Sequence, residues 1–359
     1  MSLKMLIVPF ASIIMLAGAD TVRSQSEEET ESLSRTIFNK SKTPATESKE
    51  FPEDLESLQA LKRYMPDFVP IYETMVDLAG GGDHAARFLA QYCPPPLFRG
   101  CSQAVYHADE AVLVRSYDYS PYVFDGLLMR SKFGQREVIA MLDCMSGVLD
   151  GINSDGLAVS MSFGGREEFG EGFGISILLR YLLEFAGDVK EAGELIRRIP
   201  VQGAYNIMLL DREANFETVA VDADSEPQFL GCRIATNHQS GSNWPLYEQK
   251  VHTHARFHHL GDITAAAHLD ARGFAHEFLQ APLYHTQFAR GFGTLYDAAF
   301  YPQRNACEYF WPHNSWQLDF ENFVERDYHI AFIDPEGYPE NSAAYGEIYT
   351  SKPLPVLQF

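Results

Sequence analysis

Cysteine is scarce in this chain: Cys93, Cys101, Cys144, Cys232 and Cys307 are the only five among 359 residues. Their number is odd, their spacings are wide and no C-x-x-C pair occurs. That argues against a disulfide-built scaffold or a zinc knuckle and leaves at least one thiol free. Positive charge is also short. Lys and Arg number 28 against 49 Asp and Glu, for a net charge of -21, which argues against nucleic acid as a partner bound through its phosphates. After the first twenty residues no apolar run is long enough to cross a membrane, so no stable membrane insertion is expected. No internal repeat is present.

What the chain does have is apolar mass, 46% hydrophobic and 13% aromatic, ample for one large core or two modest ones. Lys4, the apolar run over 5–16 and Ala17-Gly18-Ala19 read as a signal peptide over 1–19. Export, to a periplasm or beyond, is the expected location, with the cytoplasm as the alternative. Residues 20–50 are rich in Ser, Glu, Thr and Lys and read as a disordered linker. Asn39-Lys40-Ser41 within it is a formal glycosylation sequon.

From 51 to 100 the pattern turns helical. Leu55, Leu58, Leu61 and Tyr64 recur at helical spacing, and Val69, Tyr72, Met75, Val76 and Leu78 continue after Pro66. Gly80-Gly81-Gly82 ends that helix, a short one covers 85–92, and Pro94-Pro95-Pro96 forces an extended approach to Gly100-Cys101. From Cys101 onward short strands alternate with turns: 104–107, 111–117, 127–131, 137–142, 147–152 and 156–163. Two helices are expected over 175–185 and 189–199. Strands are expected again at 205–211, 217–221 and 232–236, helix over most of 253–279, and strands at 293–301, 306–311 and 328–333. Strand runs separated by helix pairs suggest two sheets with helices outside.

Four fragments carry chemistry. Gly100-Cys101-Ser102 opens the first strand, and Val114-Arg115-Ser116-Tyr117-Asp118-Tyr119 lies on the second. Asp150-Gly151-Ile152-Asn153-Ser154-Asp155-Gly156-Leu157 makes a hairpin, and Thr236-Asn237 follows a later strand. In this order they resemble the linear amide hydrolases: the choloylglycine hydrolases, the penicillin V acylases and especially the isopenicillin N acyltransferase branch. The resemblance spans roughly residues 93–316. It implies an α+β fold, the four-layer αββα sandwich of the N-terminal nucleophile hydrolases, with a catalytic domain over 101–359.

The resemblance also implies roles. The chain is cut between Gly100 and Cys101, and Cys101 becomes the nucleophile. Arg115 stabilises its thiolate, Asp118 holds the new α-amine and Asn237 donates to the oxyanion. A second arginine follows the Thr-Asn pair; Arg256 matches it best, with Arg290 as a rival. The chemistry suits such residues. An N-terminal Cys offers an amine of pKa about 8 beside a thiol of about 8.5, so the amine can serve as its base. Two departures stand out: Ser116 replaces a frequent Asn, and Phe163 falls where bile-salt hydrolases carry Asn and penicillin V acylases Tyr. A bile-salt-type oxyanion site is therefore in doubt.

The expected activity is hydrolysis of a linear, small-molecule acyl-amide through an acyl-thioester on Cys101, with no cofactor and no metal. Acyl transfer to an amine acceptor is the alternative, and an inactive binding module of the same fold is a second. The acyl group and the oligomeric state stay open, a homo-oligomer included. Two other clusters stand out in the sequence. His252, His254, His258 and His259 read as a solvated helix face, with no carboxylate nearby in sequence for a metal site. Gly170, Gly172 and Gly174 before a helix read as a substrate-lining turn or a plain loop.

Overall fold

The computed structural model describes residues 2–9, 54–95, 100–265, 269–288, 291–332 and 348–349. The linker with its sequon, most of the expected leader, and Arg290 lie outside the described residues. Strand β1 (Ser2–Pro9) falls within the expected leader. Helices α1 (Asp54–Tyr64), α2 (Val69–Leu78) and α3 (Asp83–Ala90) precede the main run of strands. Strands β2 (Gly100–His107) and β3 (Ala111–Tyr119) follow as a hairpin, then β4 (Leu127–Ser131), β5 (Val138–Asp143), β6 (Gly147–Asn153) and β7 (Ala158–Phe163). The turn between β6 and β7 places Gly156 at φ 91°, a conformation that glycine adopts without strain.

Helices α4 (Ile175–Phe185) and α5 (Val189–Ile196) come next. Asp188 caps α5 by accepting from Glu191 N at 2.7 Å. Strands β8 (Tyr205–Leu210), β9 (Phe216–Val221), β10 (Gln228–Phe229) and β11 (Ile234–Ala235) lead to helices α6 (Pro245–Val251), α7 (Thr253–Ala265) and α8 (Ala271–Glu277). The chain closes with β12 (Gly293–Tyr301), β13 (Ala306–Trp311), β14 (Asn314–Asp319), β15 (Arg326–Ala331) and β16 (Ile348–Tyr349).

These strands build two sheets. One runs β10-β9-β8-β7-β6-β5-β4-β1-β15-β16 and the other β11-β2-β3-β12-β13-β14. Pairing is antiparallel except between β1 and β4. The sheets stack through β2 and β3 against β7 and β8, with α4 and α5 outside the first sheet and α7 and α8 outside the second. The order is helix, sheet, sheet, helix. Strands buried on both faces read as nearly unbroken apolar runs, which explains Val138–Asp143 and Tyr205–Leu210, each buried along its whole length.

Helices α1 to α3 do not stand apart from this body. Leu61, Met65, Phe68, Tyr72 and Met75 belong to the main hydrophobic core. Phe68 meets Tyr181 of α4 edge-on at 6.5 Å, and Arg180 Nη1 donates to the Met75 sulfur at 3.2 Å. Past α3, Cys93 N donates to Gly172 O and Gly174 N to Gln91 O. The three-glycine turn therefore clasps the end of the leading segment. No helix among the described residues is long and apolar enough to cross a membrane.

Candidate active site

Strand pairing alone brings the first three residues together. In the β2–β3 register Gly100 faces Asp118 and Cys101 faces Tyr117. Alternation sends Cys101 and Arg115 toward the opposing sheet, and Gly100, Ser102 and Asp118 toward α7. Arg115 Nη2 then donates to Cys101 Sγ at 3.1 Å. Asn237, directly after β11, accepts from Cys101 N through Oδ1 at 2.8 Å. Arg256, on α7, donates from Nη1 to Cys101 O at 2.6 Å and to Ser102 Oγ at 2.7 Å, and from Nη2 to Asn237 Oδ1 at 2.6 Å. Cys101, Arg115, Asp118, Asn237 and Arg256 all have 1% exposure or less. Every site residue expected from the sequence thus meets at one place, and Arg256, not an exposed helix charge, is wholly buried.

Asp118 is held at one oxygen only. Thr294 Oγ1 donates to Oδ1 at 2.7 Å, while Oδ2 is buried without a hydrogen bond. Arg256 Nη1 lies 3.7 Å from Oδ2 and His285 Nε2 3.9 Å. A buried carboxylate oxygen with unused acceptor capacity thus lies beside Gly100, where it would stabilise a cation. His285 N donates to the same Thr294 Oγ1 at 2.8 Å, so the loop carrying His285 is tied to Asp118 through one hydroxyl.

Behind Arg115 stands a residue whose role the sequence left unread. Asp150 reaches across from β6 in the other sheet and accepts from Arg115 Nη1 at 2.5 Å. Tyr296 OH and Tyr309 OH donate to its two oxygens at 2.5 and 2.9 Å. Burial pushes the Asp150 carboxyl up, while the Arg115 guanidinium and both hydroxyls oppose this. Three donors on two oxygens suit the carboxylate form. The only signal for Asp150 was its place in the hairpin motif; Tyr296, Tyr309, Thr294 and His285 had none. Within that motif Asn153 has a different duty: Nδ2 donates to Leu183 O and Ala186 O, fastening the end of α4.

None of the five cysteines is in a disulfide among the described residues, and two are fully buried, Cys101 and Cys307. Burial pushes the Cys307 thiol far up and the nearby Asp150 carboxylate adds to this. Cys101 has the Arg115 guanidinium on its sulfur, which favours the thiolate. Tyr247 sits close by; burial, and then the charge of Cys101, keep its hydroxyl neutral. Phe163 contributes backbone, not side chain: its carbonyl accepts from Asn237 Nδ2 at 3.3 Å, while its ring packs on Tyr247 at 5.4 Å.

The histidine cluster lies on a solvated helix face as its sequence reads, with His252, His254 and His258 exposed, and departs from that reading in one respect. Glu248, six residues upstream, meets His254 Nδ1 at 3.1 Å, so a carboxylate is at hand after all. Among the described residues no group of three or more metal-ligating side chains forms. His238 stacks on His254 at 4.5 Å, and its Nδ1 lies 3.0 Å from Thr253 Oγ1, the oxygen that accepts from Asn237 N. Burial, and then His254, push His238 down to about 4. The unfolded chain therefore binds this proton at higher pH than the folded one, and stability falls as pH drops from about 6.5 through about 4. Thermal unfolding measured across that window should show a falling midpoint, and His238→Gln should flatten it. An unchanged slope in the variant would assign the acid sensitivity elsewhere.

A profile of the family described as acyl-coenzyme A:6-aminopenicillanic acid acyl-transferase matches residues 105–316. Arg115, Asp118, Asn237 and Arg256 lie inside the matched stretch and Cys101 just before it. No curated protein matches the sequence. Among solved structures, a mutant conjugated bile acid hydrolase from Clostridium perfringens aligns at 12% identity and TM-score 0.44, over 70% of this chain and 96% of the other. Penicillin V acylase from Agrobacterium tumefaciens aligns at 11% and 0.42, over 64% and 90%. The Caenorhabditis elegans ortholog of N-acylethanolamine-hydrolyzing acid amidase aligns at 14% and 0.42, over 61% and 100%.

Proposed function

Since the chain belongs to the acyl-coenzyme A:6-aminopenicillanic acid acyl-transferase family, we propose that it is an N-terminal-nucleophile enzyme hydrolysing a linear amide through an acyl-thioester on Cys101. The observation that carries this reading is the clamp on Cys101. Arg115 holds its sulfur, Asn237 its nitrogen and Arg256 its carbonyl oxygen, all in a buried site. Such density of charge around one cysteine costs desolvation and is a mark of function.

Cleavage between Gly100 and Cys101 turns the Cys101 nitrogen into an amine. That amine takes the thiol proton, Sγ attacks the substrate carbonyl, and the C–N bond breaks as the leaving amine is protonated. Water, activated by the same amine, then releases the acid. Asp118 Oδ2 holds the ammonium form between steps. The Asn237 amide is oriented by the two donors on its Oδ1, which presents Nδ2 for the oxyanion; its bond to Phe163 O, at 3.3 Å, is long enough to be exchanged. The family description favours a second reading, transfer of the acyl group to an amine acceptor in place of water. Product analysis with an amine acceptor present separates the two.

Asn237→Ala is the direct test of the site. Loss of one oxyanion donor costs about 10²–10³ in turnover, so kcat should drop by that order while the fold persists. A variant with near-normal kcat removes Asn237 from the mechanism.

A further inference from the structure

A row of buried amides and hydroxyls crosses the seam between the two sheets. Gln103 lies on the same face of β2 as Cys101 and reaches toward β7 and β8 in the opposing sheet. Ser160 Oγ donates to its Oε1 at 2.5 Å, and its Nε2 donates to Asn206 O at 2.9 Å. Ser162 and Asn206 are paired across β7 and β8, and Asn206 is 3% exposed. An apolar seam would hold the sheets together without such a row, since every buried polar group must be hydrogen-bonded to offset its desolvation.

The row ends on the segment that carries Asn237. Asn206 Nδ2 donates to Thr236 O at 2.9 Å and to His238 O at 3.2 Å. Backbone carbonyls only accept, so these two fix which end of the Asn206 amide faces them. Ser162 Oγ also donates to Thr236 O, at 2.7 Å. One side-chain amide thus spans the carbonyls on both sides of Asn237, while Thr253 Oγ1 takes the Asn237 N–H between them. Gly165 closes another side: its φ is 74°, and a Cβ there would lie 2.6 Å from Asn237 O. Cys101 N and Arg256 fix the Asn237 side-chain oxygen. Asn206 fixes the backbone from which that side chain projects.

We propose that Asn206 is a positioning residue of this enzyme: it acts through Asn237, holding the loop so that Nδ2 stands where the oxyanion forms. An oxyanion donor works only when it stands about 3 Å from the place the charge will occupy, and a misplacement of about 1 Å can cost about 10²-fold in rate. Without the Asn206 donor, His238 O loses its hydrogen bond and the loop is released on that side of Asn237. The proposal rests on the Asn237 reading and deepens it, tying the oxyanion donor to strand β8 of the other sheet.

The test compares wild type, Asn206→Leu, Asn237→Ala and the double variant on p-nitrophenyl hexanoate and phenylacetyl-p-nitroanilide, per mole of chain cut at Gly100–Cys101. Leucine keeps the volume and lacks the donor. Asn206→Leu should lose about 10- to 100-fold in kcat with KM little changed, and should lose nothing further in the Asn237→Ala background. Where the cut itself depends on Asn237, the rate of cutting replaces kcat in the same comparison. Alkylation of Cys101 by iodoacetamide should keep its wild-type rate, since Arg115 still holds the sulfur; general damage to the fold would move it. Asn206→Ala takes the place of a leucine variant that does not fold. A near-normal kcat in Asn206→Leu overturns the proposal. So does an equal loss in both backgrounds, an altered alkylation rate, or failure of both variants to fold, each of which makes Asn206 a residue of the fold alone. A near-normal kcat in Asn237→Ala removes the Asn237 reading, and a wild type that turns over neither substrate removes the Cys101 reading; the proposal falls with either.

Discussion

Cys101→Ala is expected to give a full-length protein without detectable acyl-transferring activity. Alanine has no nucleophile, so neither the cut at Gly100–Cys101 nor the later chemistry can begin. The wild-type chain should instead yield a 259-residue product beginning at Cys101, 359 less 100. Cys101→Ser keeps a hydroxyl able to perform the same acyl shift; slow processing and poor turnover are expected of it. Intact mass and N-terminal sequencing read the cut, and an acyl-amide assay reads the activity. An active enzyme whose Gly100–Cys101 bond stays whole would show that some other base activates the thiol, and the amine-base mechanism would have to be dropped.

The second large effect is expected at Asp150. Asp150→Ala leaves Arg115 buried without its carboxylate and two tyrosine hydroxyls without their acceptor. Breaking a buried pair from one side costs about 3–5 kcal/mol, readable as a lower denaturant midpoint. Asp150→Asn keeps the volume and an acceptor but not the charge, and should fold better. In it the Arg115 charge is no longer offset, so the rate of Cys101 alkylation should rise at lower pH than in wild type. A stable Asp150→Ala protein with a normal alkylation profile would rule out Asp150 as the residue that positions Arg115.

How far the sequence reaches depends on the range of the contacts involved. The β2–β3 hairpin was readable because turn residues sit between two apolar runs, and the hairpin alone pairs Cys101 with Tyr117 and Gly100 with Asp118. Strand β12 over 293–301 and strand β13 over 306–311 were also readable from their apolar, aromatic runs. Strand β14 was not: Asn314, Ser315 and Gln317 dilute its pattern, and only pairing with β13 explains it. The expected strand over 232–236 shrinks to Ile234–Ala235, since β11 pairs only with Ala104 and Gln103 at the sheet edge. Asn237 and Arg256 were found by resemblance, because no local periodicity joins a residue after β11 to a helix arginine. Asp150 lies 35 residues from Arg115 and in the other sheet. Sheet stacking decides that contact, and alternation along a single strand does not encode it.

The sharing of one core between helices α1 to α3 and the catalytic layers has a thermodynamic consequence. Before the cut, the leading segment is tethered and finds its place at the high effective concentration of a single chain. If the chain is cut as proposed, that tether is lost, and only the seating of Leu61, Phe68 and Met75 in the shared core would hold the segment in place. The native state then stays up on its contacts alone, and regaining it after unfolding becomes a meeting of two molecules. The mature enzyme would therefore hold its shape by the height of its unfolding barrier. Its folding instructions would be spent once, in a molecule that no longer exists.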